Sequence, residues 1–135
     1  MVHDAHFANI EFELECRGSL SPLLEEISGK ISLHHHGNLE NGNDFVSFDL
    51  NGSGSGWNID TTIRNFCDLV EGLSPEAEAI WSSCIRRELD IGFESGDSKV
   101  ISESRIQTGT LSRVAGIGAT VEITVYPIDS KASLI

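Results

Sequence analysis

Basic side chains are scarce in this sequence. Nine Lys and Arg stand against 21 Asp and Glu, which gives a formal charge of -12 and an isoelectric point near 4.6. Phosphate backbones and anionic lipid headgroups repel a surface of that sign, so neither nucleic acid nor membrane is expected as a partner. Long apolar runs are missing as well, and none approaches the roughly 20 residues that span a bilayer. The opening stretch "MVHDAHFANIEF" has neither a basic start nor an apolar centre. No export signal is therefore expected, and a bacterial cytoplasm is the expected location.

Cysteine is sparse: Cys16, Cys67 and Cys84 are an odd number, widely spaced, with no C-x-x-C. That argues against a disulfide framework and against a zinc ribbon. Each falls on an apolar face, where cysteine acts as a small hydrophobe. Chemical signatures are lacking too. The "GSGSGW" stretch has no G-K-[ST] after it, and Gly54 occupies the centre where a nucleophile elbow needs serine. "GIGA" (116–119) follows a helical pattern and precedes a strand, the reverse of a dinucleotide fingerprint. No nucleophile–base arrangement or carboxylate pair is singled out, so a non-enzyme without cofactor is the expectation.

What is present is patterned. The 135 residues, 39% hydrophobic with a mean hydropathy of -0.08, fit one soluble domain over 1–135. "ANIEFELEC" alternates Ile10, Phe12, Leu14 and Cys16 with Glu11, Glu13 and Glu15, a strand with one buried face. A short helix is expected at 21–29, with Ser21 as cap, Pro22 at the first position, Gly29 at the end, and Leu23, Leu24 and Ile27 inward. "KISLHHHG" reads as a brief extended segment, and 45–50 as a strand. Asp60 is the expected cap of a helix whose apolar positions are Ile63, Phe66, Cys67 and Val70. After Gly72, Ser74 and Pro75 restart a second helix with a stripe of Ala77, Ile80, Trp81, Cys84 and Ile85. Arg86 and Arg87 close it and suit its dipole. The two helices form an expected hairpin. Residues 88–94 form a strand, "SGDSK" a turn, 108–117 a helix carrying Leu111, Val114 and Ala115, and 119–127 a last strand with Val121, Ile123 and Val125 inward. The tail from Ile128 carries no element.

Strands covered on both sides read as continuous apolar runs, and these alternate. The expected architecture is therefore α+β in two layers. A mostly antiparallel sheet of four to five strands carries helices on one face, in a ferredoxin-like arrangement with an inserted helical hairpin. The open face collects Asn9, Glu11, Glu13 and Glu15; Phe45, Ser47 and Asp49; Glu88, Asp90, Gly92 and Glu94; and Thr120, Glu122, Thr124 and Tyr126. Eight of these are acids and none is Lys or Arg. Like charges opposite one another oppose sheet formation, so the concentration calls for a use. A basic protein is the complementary partner, with Glu11, Glu13, Glu15, Asp90, Glu94 and Glu122 as contacts. The alternative is a metal-binding or metal-dependent role for "HHHG". There His34 and His36 would share one side of an extended segment, His35 would point away, and Glu40 or Asp44 would complete the set. His3 and His6 are given no role.

The stretches "FELECRGSLSP", "GSGW", "FCDLVEGLSPEAEAIW", "DIGFESG" and "IGATVEITVYP" together cover most of the chain. In content and order they resemble a family of small bacterial proteins known as a domain of unknown function, DUF4279. The chain departs from that family's usual proline after the first helix, where it has "SGKISLHHHG". The resemblance brings no catalytic residue. It implies an immunity protein, a cytosolic inhibitor of a cognate toxin, and the acidic face adds the expectation that this toxin is basic and nuclease-like.

Overall fold

The computed structural model describes residues 6–52, 57–94 and 103–127, and of residues 6–8 the backbone alone. The glycine–serine connection at 53–56, the expected turn at 95–99 and the tail from 128 lie outside them. Five strands and four helices follow in the order β1 (His6–Cys16), α1 (Ser21–Ile27), β2 (Ile31–Asn38), β3 (Asp44–Leu50), α2 (Ile59–Glu71), α3 (Pro75–Ser83), β4 (Arg86–Glu94), α4 (Thr108–Gly116) and β5 (Thr120–Tyr126). They build one sheet in the order β2-β3-β1-β4-β5. The first three pairings are antiparallel, and only β4–β5 is parallel.

The first four strands have the order and directions of a ferredoxin-like sheet. The α2–α3 pair stands where that fold has its second helix, and α4 and β5 extend the sheet by one parallel crossover. The expected two-layer α+β architecture is thus what the chain adopts. β1 is central because its inward residues Ile10, Phe12, Leu14 and Cys16 are all buried. Phe12 stacks on Phe66 of α2 at 3.8 Å, and Phe66 meets Trp81 of α3 at 5.8 Å. Leu23, Leu24 and Ile27 of α1 and Val114 of α4 join the same core.

Polar contacts tie the helices together. Glu26 on α1 accepts from Ser74 N and Oγ at 2.8 and 2.6 Å. Arg113 on α4 spans Asp68 and Glu71 of α2, both at 2.7 Å.

The ends of elements differ from expectation where a distant group replaces the local cap. Ser21 does not cap α1. Leu20 holds that position, and its N–H donates to Asp44 Oδ2 on β3 at 2.7 Å. Gly29 does not end it either, because a 3-10 turn runs over Ser28–Lys30. Asn58, two residues before Asp60, caps α2 through Thr61 N at 2.7 Å. Asp60 lies in the first turn and accepts from Gln107 N at 2.9 Å, pinning the segment before α4.

α3 stops at Ser83, earlier than the apolar stripe suggests. Ser83 Oγ donates back to Ile80 O at 2.8 Å, and Cys84 turns extended. The Arg87 guanidinium then takes the carbonyls of Trp81, Ser82 and Cys84 at 3.1, 3.4 and 2.9 Å. Those are the carbonyls a helix end leaves without partners. Arg86 and Arg87 therefore open β4 rather than close α3, and Ile85 is exposed rather than part of the stripe.

The far side of the sheet is less covered than the pattern predicts. Ile123 and Val125 of β5 are 62% and 61% exposed, and Leu111 and Ala115 of α4 are exposed too. β5 is an edge strand, and α4 offers only Thr110 and Val114 as buried residues.

Candidate interaction face

The register of the strands decides which side chains share the open face. Glu11 lies opposite Asp90, Glu13 opposite Glu88, and Glu15 opposite Arg86 across the β1–β4 ladder. Asp90 lies opposite Glu122 across β4–β5, and Glu94 opposite Tyr126. On the other flank of β1, Glu13 meets Ser47 and Glu15 meets Phe45. The six carboxylates expected as contacts are thus on one side of one sheet.

They fall into two groups. The first is already engaged within the molecule. Arg86 Nη2 reaches Glu13 Oε1 and, at 3.2 Å, Glu88 Oε1, and its guanidinium stands 5.8 Å from the centre of the Phe45 ring. This corrects the expectation of a face without Lys or Arg. β4 starts two residues upstream of the expected boundary, and the alternation of Arg86, Glu88 and Asp90 carries the arginine onto the face.

Glu15 accepts from Asn43 and Asn41 at 2.8 and 3.3 Å, contacts that hold its carboxyl below the ordinary value. Glu13 shifts the other way. Burial, then the neighbouring Glu11, Glu88 and Asp90, raise its carboxyl, and Arg86 only partly offsets them. Arg86 itself is raised: burial disfavours its charge, but the bond to Glu88 and the fields of Glu13, Glu88 and Glu15 outweigh it. Both directions have one cause, a single cation shared among several anions.

The second group is a row. Glu11, Asp90 and Glu122 sit side by side on β1, β4 and β5, in direct register. Neighbouring strands are ~4.8 Å apart, so the row spans about 10 Å across the sheet. Thr124 Oγ1 donates to Asp90 Oδ1 at 3.0 Å. Among the described residues no Lys or Arg pairs with any of the three. Glu94 follows farther along β4 on the same side.

The histidines do not take the arrangement that the metal-binding alternative called for. A bulge between Leu33 and His35 breaks the alternation of β2. His35 lies opposite Ser47 on the open face, and His36 lies opposite Val46 on the core side. His34 Nε2 approaches Asp49 Oδ1 of the open face at 3.3 Å, in an orientation that leaves that buried oxygen without a hydrogen bond. His36 Nε2 contacts Asp44 Oδ1 at 2.9 Å. His34 and His36 therefore serve opposite sides, because the bulge inserts one residue between them. Glu40 is exposed in the turn after β2, and no three of His, Cys, Asp and Glu among the described residues gather to hold a metal ion.

The face has an aromatic flank that charge reasoning passed over: Phe45, with His35 5.9 Å away and Arg86 on its other side. The apolar alternation of "RRELDIGFE" stops at Leu89, because Arg87 takes the next inward position, so the sequence pattern gave no signal for Arg86. No family model matches the chain, and comparison with curated proteins and with solved structures likewise finds no match.

Proposed function

We propose that the chain is a binding module that docks a basic protein through the open sheet face, in the manner of an inhibitor. The supporting observation is the row Glu11, Asp90 and Glu122, aligned across three strands with no cation of the described residues to neutralise it. Such an arrangement costs sheet stability, and a cationic surface laid across it recovers that cost. Glu13 and Glu15 have internal partners and serve the frame more than the contact. Phe45 offers an apolar anchor at the rim, the kind of residue on which interface energy concentrates.

The more specific reading is a cytosolic immunity protein covering the basic cleft of a nuclease-like toxin. It draws on the resemblance of the quoted sequence stretches, and on the match between a basic cleft and an acidic plate.

The test uses the wild-type chain and an E11K/D90K/E122K variant, immobilised side by side and exposed to extract of the native host. Retained proteins are then purified for kinetics. The expected result is a basic protein held by the wild type alone, with association slowed at least about tenfold by the reversal and by added salt. A milder E11Q/D90N/E122Q variant keeps the test interpretable if the reversed chain folds poorly. A partner that binds wild type and both variants at one rate rules the reading out.

A further inference from the structure

We propose that Cys16 and Cys84 are a disulfide-forming pair that locks the start of β4 to the end of β1. Cys16 is the last residue of β1, and Cys84 is the cap residue between α3 and β4. Ile85 N donates to Glu15 O at 2.9 Å, which draws the residues around Cys84 against the end of β1. The Cys16 sulfur lies 3.3 Å from Oγ of Ser83, the residue before Cys84, and the Cys84 thiol donates to Ile80 O at 3.4 Å, the carbonyl that Ser83 Oγ also reaches. Both are buried, as is Cys67. Cys67, however, stands on α2 among Arg113, Glu71 and Asp68.

The chemistry needs a two-electron oxidant of the peroxide class. The sulfur of Cys16 attacks one peroxide oxygen, the O–O bond breaks, and one water leaves after proton transfer, giving a sulfenic acid. The Cys84 sulfur then displaces the hydroxyl, forming the S–S bond and releasing a second water. In sum, two thiols and one hydrogen peroxide give one disulfide and two waters. Burial pushes the Cys84 thiol up to about 12, which keeps its thiolate scarce in the folded state. Burial also makes the reaction slow, dependent on local opening of the α3–β4 junction. The bond closes a long loop and so narrows the unfolded ensemble. It acts one residue past Glu15 and two before Arg86, opposite partners on the open face.

The test treats the native, folded chain and a C67A variant with hydrogen peroxide, and follows intact mass and non-reduced peptides. The expected product is a loss of about 2 Da in both chains, carried by a single peptide linking Cys16 to Cys84 and reversed by dithiothreitol. The oxidised form should also melt at a higher temperature. Three titratable thiols retained by the wild type, oxygen added without loss of hydrogen, or a link through Cys67 would each overturn the proposal. It stands apart from the docking reading, because the crosslink needs no partner.

Discussion

Arg86 is a half-exposed residue with two carboxylates in reach, and its removal is informative because it leaves them without a partner. Arg86→Met is expected to destabilise the fold by about 1 kcal/mol at neutral pH, a modest figure because solvent screens the group. Glu13 sets the pH dependence. Its folded pKa already lies above the ordinary 4.5, so the folded state takes up a proton more readily than the unfolded one. Stability therefore rises as pH falls toward that range, more so without Arg86. The deficit should shrink between pH 7 and about pH 5 in urea titrations. A deficit that grows on acidification would contradict this account.

Asp44 has the opposite sign. Burial raises its carboxyl, but the Leu20 N–H and the His36 ring outweigh burial and hold it below the ordinary 3.8. Its contribution is present above 3.8 and lost as pH drops through the lower folded value. Asp44→Asn should cost about 1–3 kcal/mol at pH 7, with the difference from wild type fading in strong acid.

At the scale of elements, the tension lies in the β1–β4–β5 ladder. Three carboxylates in register repel, and nothing in the described sheet cancels them. Asp90→Asn keeps an acceptor for Thr124 while removing the central charge. It should raise stability by a few tenths to about 1 kcal/mol, and the gain should diminish in molar salt. Thermal melts at low and high ionic strength decide the matter. A destabilised variant at low salt would mean that the row is neutralised in a way the ladder does not show. The helices obey their patterns more simply. α2 buries Ile63, Phe66, Cys67 and Val70 because those positions recur on one stripe, and its cap is local. α3 is different, because its end depends on Arg87 reaching back to its last carbonyls.

For the whole molecule, the distribution of charge counts for more than its total. Reversing three exposed acids on the helical side, Glu25, Glu76 and Glu78, changes net charge as much as reversing Glu11, Asp90 and Glu122. On the docking reading the helical reversal leaves association with a basic partner within about threefold of wild type, and the sheet reversal does not. Stopped-flow association rates across a salt series separate them. Equal slowing by both would reduce the face to bulk electrostatics. No helix among the described residues is long and apolar enough to cross a membrane, which agrees with the short apolar runs of the sequence.

Sequence alone determined the parts whose physics is local. Period-two alternation placed β1, β3, β4 and β5, and the stripe of α2 and the Ser74–Pro75 start of α3 followed from spacing and capping. The same alternation placed the six carboxylates on one side, since a residue's parity in a strand fixes its face. Tertiary structure decided what depends on partners distant in the chain. Which acids stand beside one another came from the strand order, and two distant acceptors, Asp44 for Leu20 and the last carbonyls of α3 for Arg87, reset element boundaries. The bulge in β2 set His34 and His36 on opposite sides, a backbone event that residue type does not encode. Arg86 joined the acidic face for the same reason. A helix end fixed by long-range hydrogen bonds shifted the start of a strand by two residues, enough to set Arg86 among the carboxylates of the face.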